Sequence, residues 1–166
     1  QTAKIGDSCK PFEVGAPLFT LKSVKFSVKD RGILKDISLE IPKGGRTVFL
    51  GENGCGKTTL LRLIARLYRP TGGAITQYID EKFKQKPKGS KAWYKKVGVV
   101  YQNPDYQLFM PTVRQEISFG AKSEEYAAEI AELFGVKHLW DRHPQSLSEG
   151  QKRRVSIAAV AACDPE

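Results

Sequence analysis

Two stretches near the start of the chain alternate between apolar and polar residues, which is the pattern of strands with one buried face. The first covers residues 18–28 and the second covers residues 33–41. A Lys-Asp-Arg-Gly turn joins them, so they are predicted to form a hairpin. A Gly-Gly turn precedes a shorter strand predicted at 74–79. Residues 18–41 and 73–80 are therefore predicted to form an antiparallel β layer.

Two short apolar runs without alternation, at residues 47–50 and 97–101, are predicted to be buried strands. Apolar residues at helical spacing follow the first run and predict a helix from Lys57 to near Tyr68. Ser90 is predicted to cap a short helix that runs to Lys96. Further helices are predicted at 112–121, 123–134, 136–141 and 149–162. Strands followed by helices in this order indicate an α/β protein.

A glycine-rich segment lies between the first buried run and its helix. Residues 51–58 read Gly-Glu-Asn-Gly-Cys-Gly-Lys-Thr and match Gly-x-x-x-x-Gly-Lys-[Ser/Thr], the phosphate-binding loop of P-loop nucleotidases. Glycines let backbone N–H groups turn toward phosphate oxygens, and the helix that follows adds its positive end. We expect Lys57 to reach the β- and γ-phosphates and the Thr58 hydroxyl to ligate Mg²⁺. The predicted nucleotide contacts are Gly51, Asn53, Gly54, Cys55, Gly56, Lys57, Thr58 and Thr59.

The chain has 166 residues and a formal net charge of +9. Much of the excess comes from residues 82–96, a segment rich in lysine. An anionic partner such as nucleic acid would fit this charge, and so would an exposed, solvated loop. Only Trp93 and Tyr94 stand near its later lysines as stacking partners, which favours the loop.

The three cysteines, Cys9, Cys55 and Cys163, are odd in number and fit no metal-binding spacing. A reducing, cytosolic setting is the simplest interpretation. No apolar run approaches the ~18 residues of a membrane span. Residues 1–17 contain scattered prolines and glycines and are predicted to be a linker or arm before a domain that covers residues 18–166.

Two further motifs accompany the glycine loop. Residues 101–105 read Tyr-Gln-Asn-Pro-Asp, and residues 147–154 read Leu-Ser-Glu-Gly-Gln-Lys-Arg-Arg. The three motifs, in this order, resemble the ATP-binding cassette (ABC) ATPases over residues 18–166. The stretch at 102–113 is similar to the subset that energises vitamin and metal-ion uptake, the energy-coupling-factor and cobalt importers. The resemblance implies a P-loop NTPase α/β core with an antiparallel β layer and a helical subdomain at about 105–150.

The resemblance also implies roles for individual residues. Gln102 occupies the Q-loop, where an amide can contact Mg²⁺ or the attacking water and move with a transmembrane partner. Ser148, Gly150 and Gln151 occupy the signature motif and would face the γ-phosphate of ATP held by a second subunit. Ser148 and Gln151 also fit a capping box at an ordinary helix start, and the two roles are compatible.

Two positions depart from the family pattern. Glu149 stands where the family usually has Gly, and its carboxylate would repel phosphate unless Lys152 or Arg153 offsets it. Val28 stands where the family usually stacks adenine on an aromatic ring. Phe26 lies two residues away on the same face, as a core residue or a base contact, so the base contacts stay open.

The family's Walker B strand is expected beyond Glu166, together with its catalytic Glu and switch His. We therefore expect an incomplete C-terminal part and a chain that is inactive by itself, because the general base and the Mg²⁺-holding Asp would be missing. Assigning residues 160–164 to Walker B is disfavoured because their alanines are typical of a helix end.

The resemblance implies an ATP- and Mg²⁺-binding subunit, peripheral at the cytoplasmic face of the membrane, that couples ATP hydrolysis to import. The implied partners are a transmembrane component and a second cassette in a head-to-tail dimer; Glu149 favours a heterodimer or fused tandem over a homodimer. One alternative is a soluble ABC ATPase acting on nucleic acid or ribosomes, although no heptads separate Gln102 from Leu147. Another is a nonhydrolytic, basic nucleotide-binding module. We expect no direct contact with nucleic acid; a steep salt dependence of DNA binding would contradict this expectation.

Overall fold

The computed structural model of this chain describes residues 16–78 and 97–165. It divides into two compact units, Gln1–Lys86 and Pro87–Glu166, and each unit is described by itself. Three expectations from the sequence lie outside the described residues: the arm over 1–15, the lysine-rich segment over 82–96 and the short helix over 90–96. In the described part of the chain, no helix is both long and apolar enough to cross a membrane.

The first unit is built on a three-stranded antiparallel sheet with the order β2–β1–β3. Strand β1 covers Pro17–Val28, β2 covers Arg31–Pro42 and β3 covers Gly72–Gln77. Both neighbours pair antiparallel with β1. The predicted antiparallel layer is confirmed, because β1, β2 and β3 pair antiparallel in one sheet.

A bulge in β1 keeps its apolar residues on one face. Leu21 and Val24 are both buried, although residues three apart in a regular strand point to opposite faces. The pairing register with β2 shifts between these two residues, and Ser23 has a left-handed φ of 48°. The extra residue of the bulge brings Val24 back to the buried face, where it pairs with Ile37 of β2.

Gly73 of β3 lies opposite this bulge. Its φ is +74°, and a Cβ added there would stand 2.2 Å from the carbonyl oxygen of Ser23 and 2.4 Å from that of Lys22. The register between β1 and β3 also shifts at this point. Only glycine satisfies both the backbone conformation and the close approach.

The two short apolar runs predicted as buried strands are not strands, and this prediction is wrong for the described residues. Residues 47–50 and 97–101 join no sheet in the described ranges. Val48 and Leu50 are 74% and 89% exposed, so the first run is not buried either. A strand buried on both faces requires hydrogen-bonded neighbours, which local apolar character cannot supply.

Helix α1 covers Lys57–Ile64 and ends earlier than the sequence predicts. Arg66 follows it with a left-handed φ of 57°. The amide of Leu67 donates to the carbonyl of Arg62 at 2.9 Å, and the amide of Arg66 donates to the carbonyl of Leu63 at 3.0 Å. These two bonds form a Schellman motif, in which Arg66 takes the place usually occupied by glycine.

The second unit is helical. Its α-helices are α2 over Val113–Ser118, α3 over Glu124–Leu133 and α4 over Glu149–Ala162. Short 3₁₀ helices cover Pro104–Tyr106, Lys137–Leu139 and Pro144–Ser146. The helices predicted near 112–121, 123–134 and 149–162 are confirmed, whereas 136–141 holds one 3₁₀ turn.

One apolar core joins the helices of the second unit. Among its fully buried members are Val113 and Ile117 of α2, Ala131 of α3 and Val155 of α4. Burying a side chain of the size of Ile or Val contributes about 1.5–3 kcal/mol. This core positions α4, whose N-terminal turn carries the motif at residues 147–154.

We predict that Gly73→Ala destabilises the protein by roughly 2–4 kcal/mol, because its Cβ would collide with two backbone carbonyls at a left-handed φ. Urea denaturation measures the change. Gly32→Ala in β2 is the matched control, since a Cβ there meets nothing within 4 Å. Equal losses of stability for the two variants would contradict the assigned bulge.

Candidate functional site

The glycine loop before α1 adopts conformations that require glycine. Gly54 has a φ of 83° and Gly56 a φ of 101°, values that residues with side chains rarely adopt. A Cβ at Gly56 would also stand 2.7 Å from Cδ2 of Leu34. Strand β2 therefore packs directly against the loop, and the sheet fixes the position of the loop.

Lys57, the first residue of α1, reaches back over this loop. Its Nζ donates to the carbonyls of Gly51 and Glu52, both at 2.7 Å. The same Nζ lies 3.8 Å from Sγ of Cys55, whose thiol is exposed. The loop thus curls around an ammonium group, which would form charge-assisted hydrogen bonds with an anion.

The start of α1 differs from the starts of α2, α3 and α4. Its N-cap is Gly56, which supplies no side-chain hydrogen bond, and its first turn contains no acidic residue. In contrast, α2, α3 and α4 each receive a side-chain cap. The amides of an uncapped first turn keep their hydrogen-bonding capacity at the positive end of the helix dipole. A bound anion would accept hydrogen bonds from these amides and would be attracted by the positive end of the dipole.

These features fit a polyphosphate with a hard cation. Lys57 would supply positive charge, and the exposed Thr58 would supply a hydroxyl oxygen. Mg²⁺ takes its remaining ligands from water and phosphate oxygens, so two protein oxygens or fewer suffice. No group of three His, Cys, Asp or Glu side chains suited to a metal occurs in residues 16–78 or 97–165.

In the second unit, α4 holds the segment that carries Gln102. Nη1 of Arg153 donates to the carbonyls of Tyr101 and Gln102 at 2.6 and 3.0 Å. Nζ of Lys152 donates to Oδ1 of Asp105 at 2.8 Å. The side chain of Gln102 stays exposed, so its amide is available to a ligand while its backbone is held.

Two amide side chains complete this attachment. Nε2 of Gln107 donates to the carbonyl of Ser156 at 3.0 Å, while its Oε1 accepts from the amide of Tyr101 at 3.2 Å. Oδ1 of Asn103 accepts from the amide of Asp105 at 2.9 Å and opens the 3₁₀ turn that follows. The segment 101–107 is therefore hydrogen-bonded to α4 at both ends and is ordered in its middle.

The predicted capping box at the start of α4 is confirmed. The amide of Gln151 donates to Oγ of Ser148 at 3.4 Å, and the amide of Ser148 donates to Oε1 of Gln151 at 3.0 Å. Gly150 is exposed, and a Cβ there would meet nothing within 4 Å. This turn is accessible to a large partner, and its role toward phosphate stays a prediction.

Glu149 turns largely to solvent, with 77% of its side chain exposed. Its Oε1 lies 3.7 Å from Nζ of Lys152, and its place in the first turn suits a negative charge. The hydrogen bond from Lys152 to Asp105 raises the pKa of the lysine, and Glu149 adds to this effect. Lys152 is therefore charged at neutral pH. Lys152 and Arg153 were both considered as residues that could offset the charge of Glu149. Lys152 approaches Glu149, whereas Arg153 binds backbone carbonyls.

The residues considered for a nucleotide base lie at the end of β1. Val28 is exposed. The ring of Phe26 stacks on Tyr68 with centroids 5.5 Å apart and planes 7° from parallel. Arg62 lies over the other ring of this pair and donates to its hydroxyl at 3.0 Å. Phe26 is thus half-buried in an aromatic pair, and which group contacts a base stays open.

The predicted contacts fall into two groups, one in each unit. The first group lies in and after the glycine loop: Gly51, Asn53, Gly54, Cys55, Gly56, Lys57, Thr58 and Thr59. The second group lies around α4: Gln102, Ser148, Gly150 and Gln151. Sequence reasoning missed Asp105 and Gln107, whose side chains hold the segment of Gln102 through partners distant in sequence. It also missed Ser156, whose backbone carbonyl accepts from Gln107.

The family profile described as “ABC transporter” matches residues 34–166. The energy-coupling factor transporter ATP-binding protein EcfA1 of Mycoplasma mobile is 38% identical over 163 residues, which cover 92% of this chain and 58% of that protein. The nickel import ATP-binding protein NikO of Rhodobacter capsulatus is 38% identical over 161 residues, which cover 90% and 63%.

A solved structure shows the same fold. CbiO1 from Clostridium perfringens, described as part of the ABC transporter complex CbiONQ, superimposes with a TM-score of 0.71 at 31% identity. The match covers 90% of this chain and 62% of that one. The chain thus spans about three fifths of the length of these relatives.

We predict that Mg-ATP shields Cys55 from maleimide, because the thiol shares the loop with Lys57. At ten times the dissociation constant, labelling should slow by about tenfold. Peptide mass spectrometry reads each cysteine separately. Cys163, also exposed but at the C-terminal end of α4, is the internal reference and should label at an unchanged rate. Equal labelling of Cys55 with and without nucleotide would contradict the prediction.

Proposed function

The chain belongs to the ABC transporter family of ATP-binding domains, and on this premise we propose that it forms part of the ATPase subunit of an importer for a vitamin or metal ion. The observation that carries the proposal is the loop in which the Lys57 ammonium and the uncapped start of α1 converge. The functions for which these relatives are named, energy-coupling factor transport and nickel import, support the substrate class.

In this proposal the triphosphate lies in the glycine loop. Lys57 exchanges its loop carbonyls for the β- and γ-phosphate oxygens, and the amides of Gly54, Cys55 and Gly56 donate to the same group. Thr58 and Gln102 would hold Mg²⁺, which neutralises the charge that develops on the phosphates. Asn53 and Thr59 complete the contacts to the nucleotide.

Gln102 is the proposed catalytic residue in the second unit. Its exposed amide can donate one hydrogen bond and accept another, so it can orient an attacking water without adding charge. Arg153 holds the backbone of Gln102, which limits the positions that this amide can reach.

A second cassette is the proposed partner at the start of α4. Ser148, Gly150 and Gln151 would face the phosphate held by the other cassette, where a helix N-terminus suits an anion. The oxygen of Ser148 accepts from the amide of Gln151 as the cap, which leaves its hydroxyl hydrogen free to donate to a phosphate oxygen. Nucleotide binding would thereby join the two cassettes head to tail.

A transmembrane component is the second proposed partner, and an exposed aromatic patch on the second unit supports it. Phe109 and Phe119 are both exposed and meet edge to face with centroids 5.6 Å apart. The buried carboxylate of Glu116 fixes this region by accepting from the amides of Phe109 and Met110 at 2.9 and 2.7 Å. Exposed apolar rings on an ordered loop are typical of a protein-binding surface. We place this contact at the cytoplasmic face of the membrane.

Lys57→Ala tests the nucleotide site directly. Losing a charge-assisted contact worth ~1.5–3 kcal/mol should weaken ATP binding by roughly ten- to a hundredfold. Titration calorimetry on the full-length protein measures the affinity. Lys35→Ala, which removes the same charge from an exposed position on β2, is the matched control and should bind ATP normally. Unchanged affinity of Lys57→Ala would refute the phosphate site.

Glu149 tests the proposed asymmetry of the two nucleotide sites. Its carboxylate would weaken closure over phosphate, in part offset by Lys152, so we propose a heterodimer or fused tandem in which this signature builds the weaker site. Glu149→Gly should raise ATP turnover of the full-length protein by roughly two- to fivefold. Glu149→Gln, which removes only the charge, should show most of this gain. If both variants turn over ATP like the wild type, a homodimer is the better interpretation.

A further inference from the structure

We propose that Asp105 is a positioning residue that acts through Lys152 to set where Gln102 stands relative to the start of α4. The two phosphate-facing groups of the second unit, Gln102 and the turn at 148–150, would then move together. This inference rests on the proposed function and adds to it a residue that controls the site without touching nucleotide.

The placement of three residues on α4 supports the inference. Lys152, Arg153 and Ser156 lie within one turn of the helix, and each contacts the segment 101–107. The contacts are the bonds from Arg153 to two backbone carbonyls, from Lys152 to Asp105, and from Gln107 to the Ser156 carbonyl. One face of α4 therefore holds the whole segment that carries Gln102.

Among the contacts between α4 and the segment 101–107, the ion pair of Lys152 with Asp105 is the one that can change partner. The side chain of Lys152 is only 9% exposed, whereas that of Asp105 is 39% exposed. Lys152 also lies 3.7 Å from Glu149, compared with 2.8 Å from Asp105. Because a nearly buried ammonium requires a partner, loss of the Asp105 charge would turn Lys152 toward Glu149 in the phosphate-facing turn.

The chain between Asp105 and Gln102 is short and internally ordered. The amide of Asp105 donates to the side chain of Asn103, and Pro104 opens the 3₁₀ turn between them. A shift of the Asp105 carboxylate would therefore move the backbone at Gln102 instead of being absorbed by a loose loop. Asp105 is partly exposed and is no member of the apolar core, so its role is separable from folding.

Steady-state ATP hydrolysis by the full-length protein tests the proposal. In Asp105→Asn, the side chain keeps its shape but loses its charge. We expect kcat to fall about tenfold, with KM within about twofold and Tm within a few degrees. Asp105→Glu, which restores the charge, should recover part of the loss. An active wild type with an unchanged kcat in Asp105→Asn would overturn the proposal.

Glu124→Gln is the matched control. Glu124 forms an ion pair with Arg114 at the surface of the same unit and accepts a hydrogen bond from Ser118, and these partners lie outside the segment 101–107. This substitution removes the same charge and the same kind of pair. It should leave kcat at the wild-type value; an equal loss in both variants would mean that charge or unit stability, and not position, explains the effect.

A double-mutant cycle with Gln102→Ala separates positioning from a purely structural role. If Asp105 acts through Gln102, adding Asp105→Asn to Gln102→Ala should reduce kcat no further than Gln102→Ala alone. Independent losses that multiply would overturn the proposal, because they would show that Asp105 affects turnover without Gln102.

Amide hydrogen exchange gives a readout that needs no catalysis. In Asp105→Asn, residues 101–107 should exchange faster, whereas the core helix α3 should keep its protection. If the wild type does not hydrolyse ATP, the proposed function fails, and exchange still decides whether the ion pair positions the segment. Unchanged exchange at 101–107 would overturn the positioning role in either case.

Discussion

The first turn of an α-helix leaves backbone N–H groups without partners inside the helix, and the way each helix meets this constraint organises both units. Thr112, Ser123 and Ser148 accept hydrogen bonds from the first turns of α2, α3 and α4. Gly56 offers α1 no such acceptor. The starts of α2, α3 and α4 are thus closed by their own sequence, whereas the start of α1 remains open to an external acceptor. The sheet then matters mainly as the support against which this open end is held.

The elements that local chemistry determines were predictable from the sequence. Alternating residues identified β1 and β2, a Gly-Gly turn indicated where β3 begins, and the capping box of Ser148 and Gln151 indicated where α4 begins. The early end of α1 was not predictable, because Arg66 replaces the glycine that usually signals such an end. The runs at 47–50 and 97–101 were predicted incorrectly for a related reason. Apolar composition indicates a preference for burial, but a strand also requires a neighbour, and the sequence alone does not supply one.

The candidate site likewise contains residues that a local motif identifies and residues that depend on contacts distant in sequence. The glycine loop could be located from its motif, because each residue type follows from contact with phosphate. The residues that hold Gln102 could not, since Asp105 and Lys152 are 47 positions apart and Gln107 and Ser156 are 49 apart. The only local signal was Asn-Pro-Asp, which is typical of a short turn. The sequence therefore located the glycine loop and Gln102, but not the contacts that hold the segment of Gln102 in place.

The two hydrogen bonds from Lys57 to the carbonyls of Gly51 and Glu52 have a thermodynamic consequence. An entering anion competes with acceptors that the ammonium already has, so binding exchanges partners instead of satisfying a bare charge. The enthalpy gained is a difference between two sets of bonds, while the carbonyls given up lie in an exposed loop and can turn to water. The preformed shape of the loop lowers the cost of ordering it around an anion, whereas the exchange of partners reduces the net gain from Lys57.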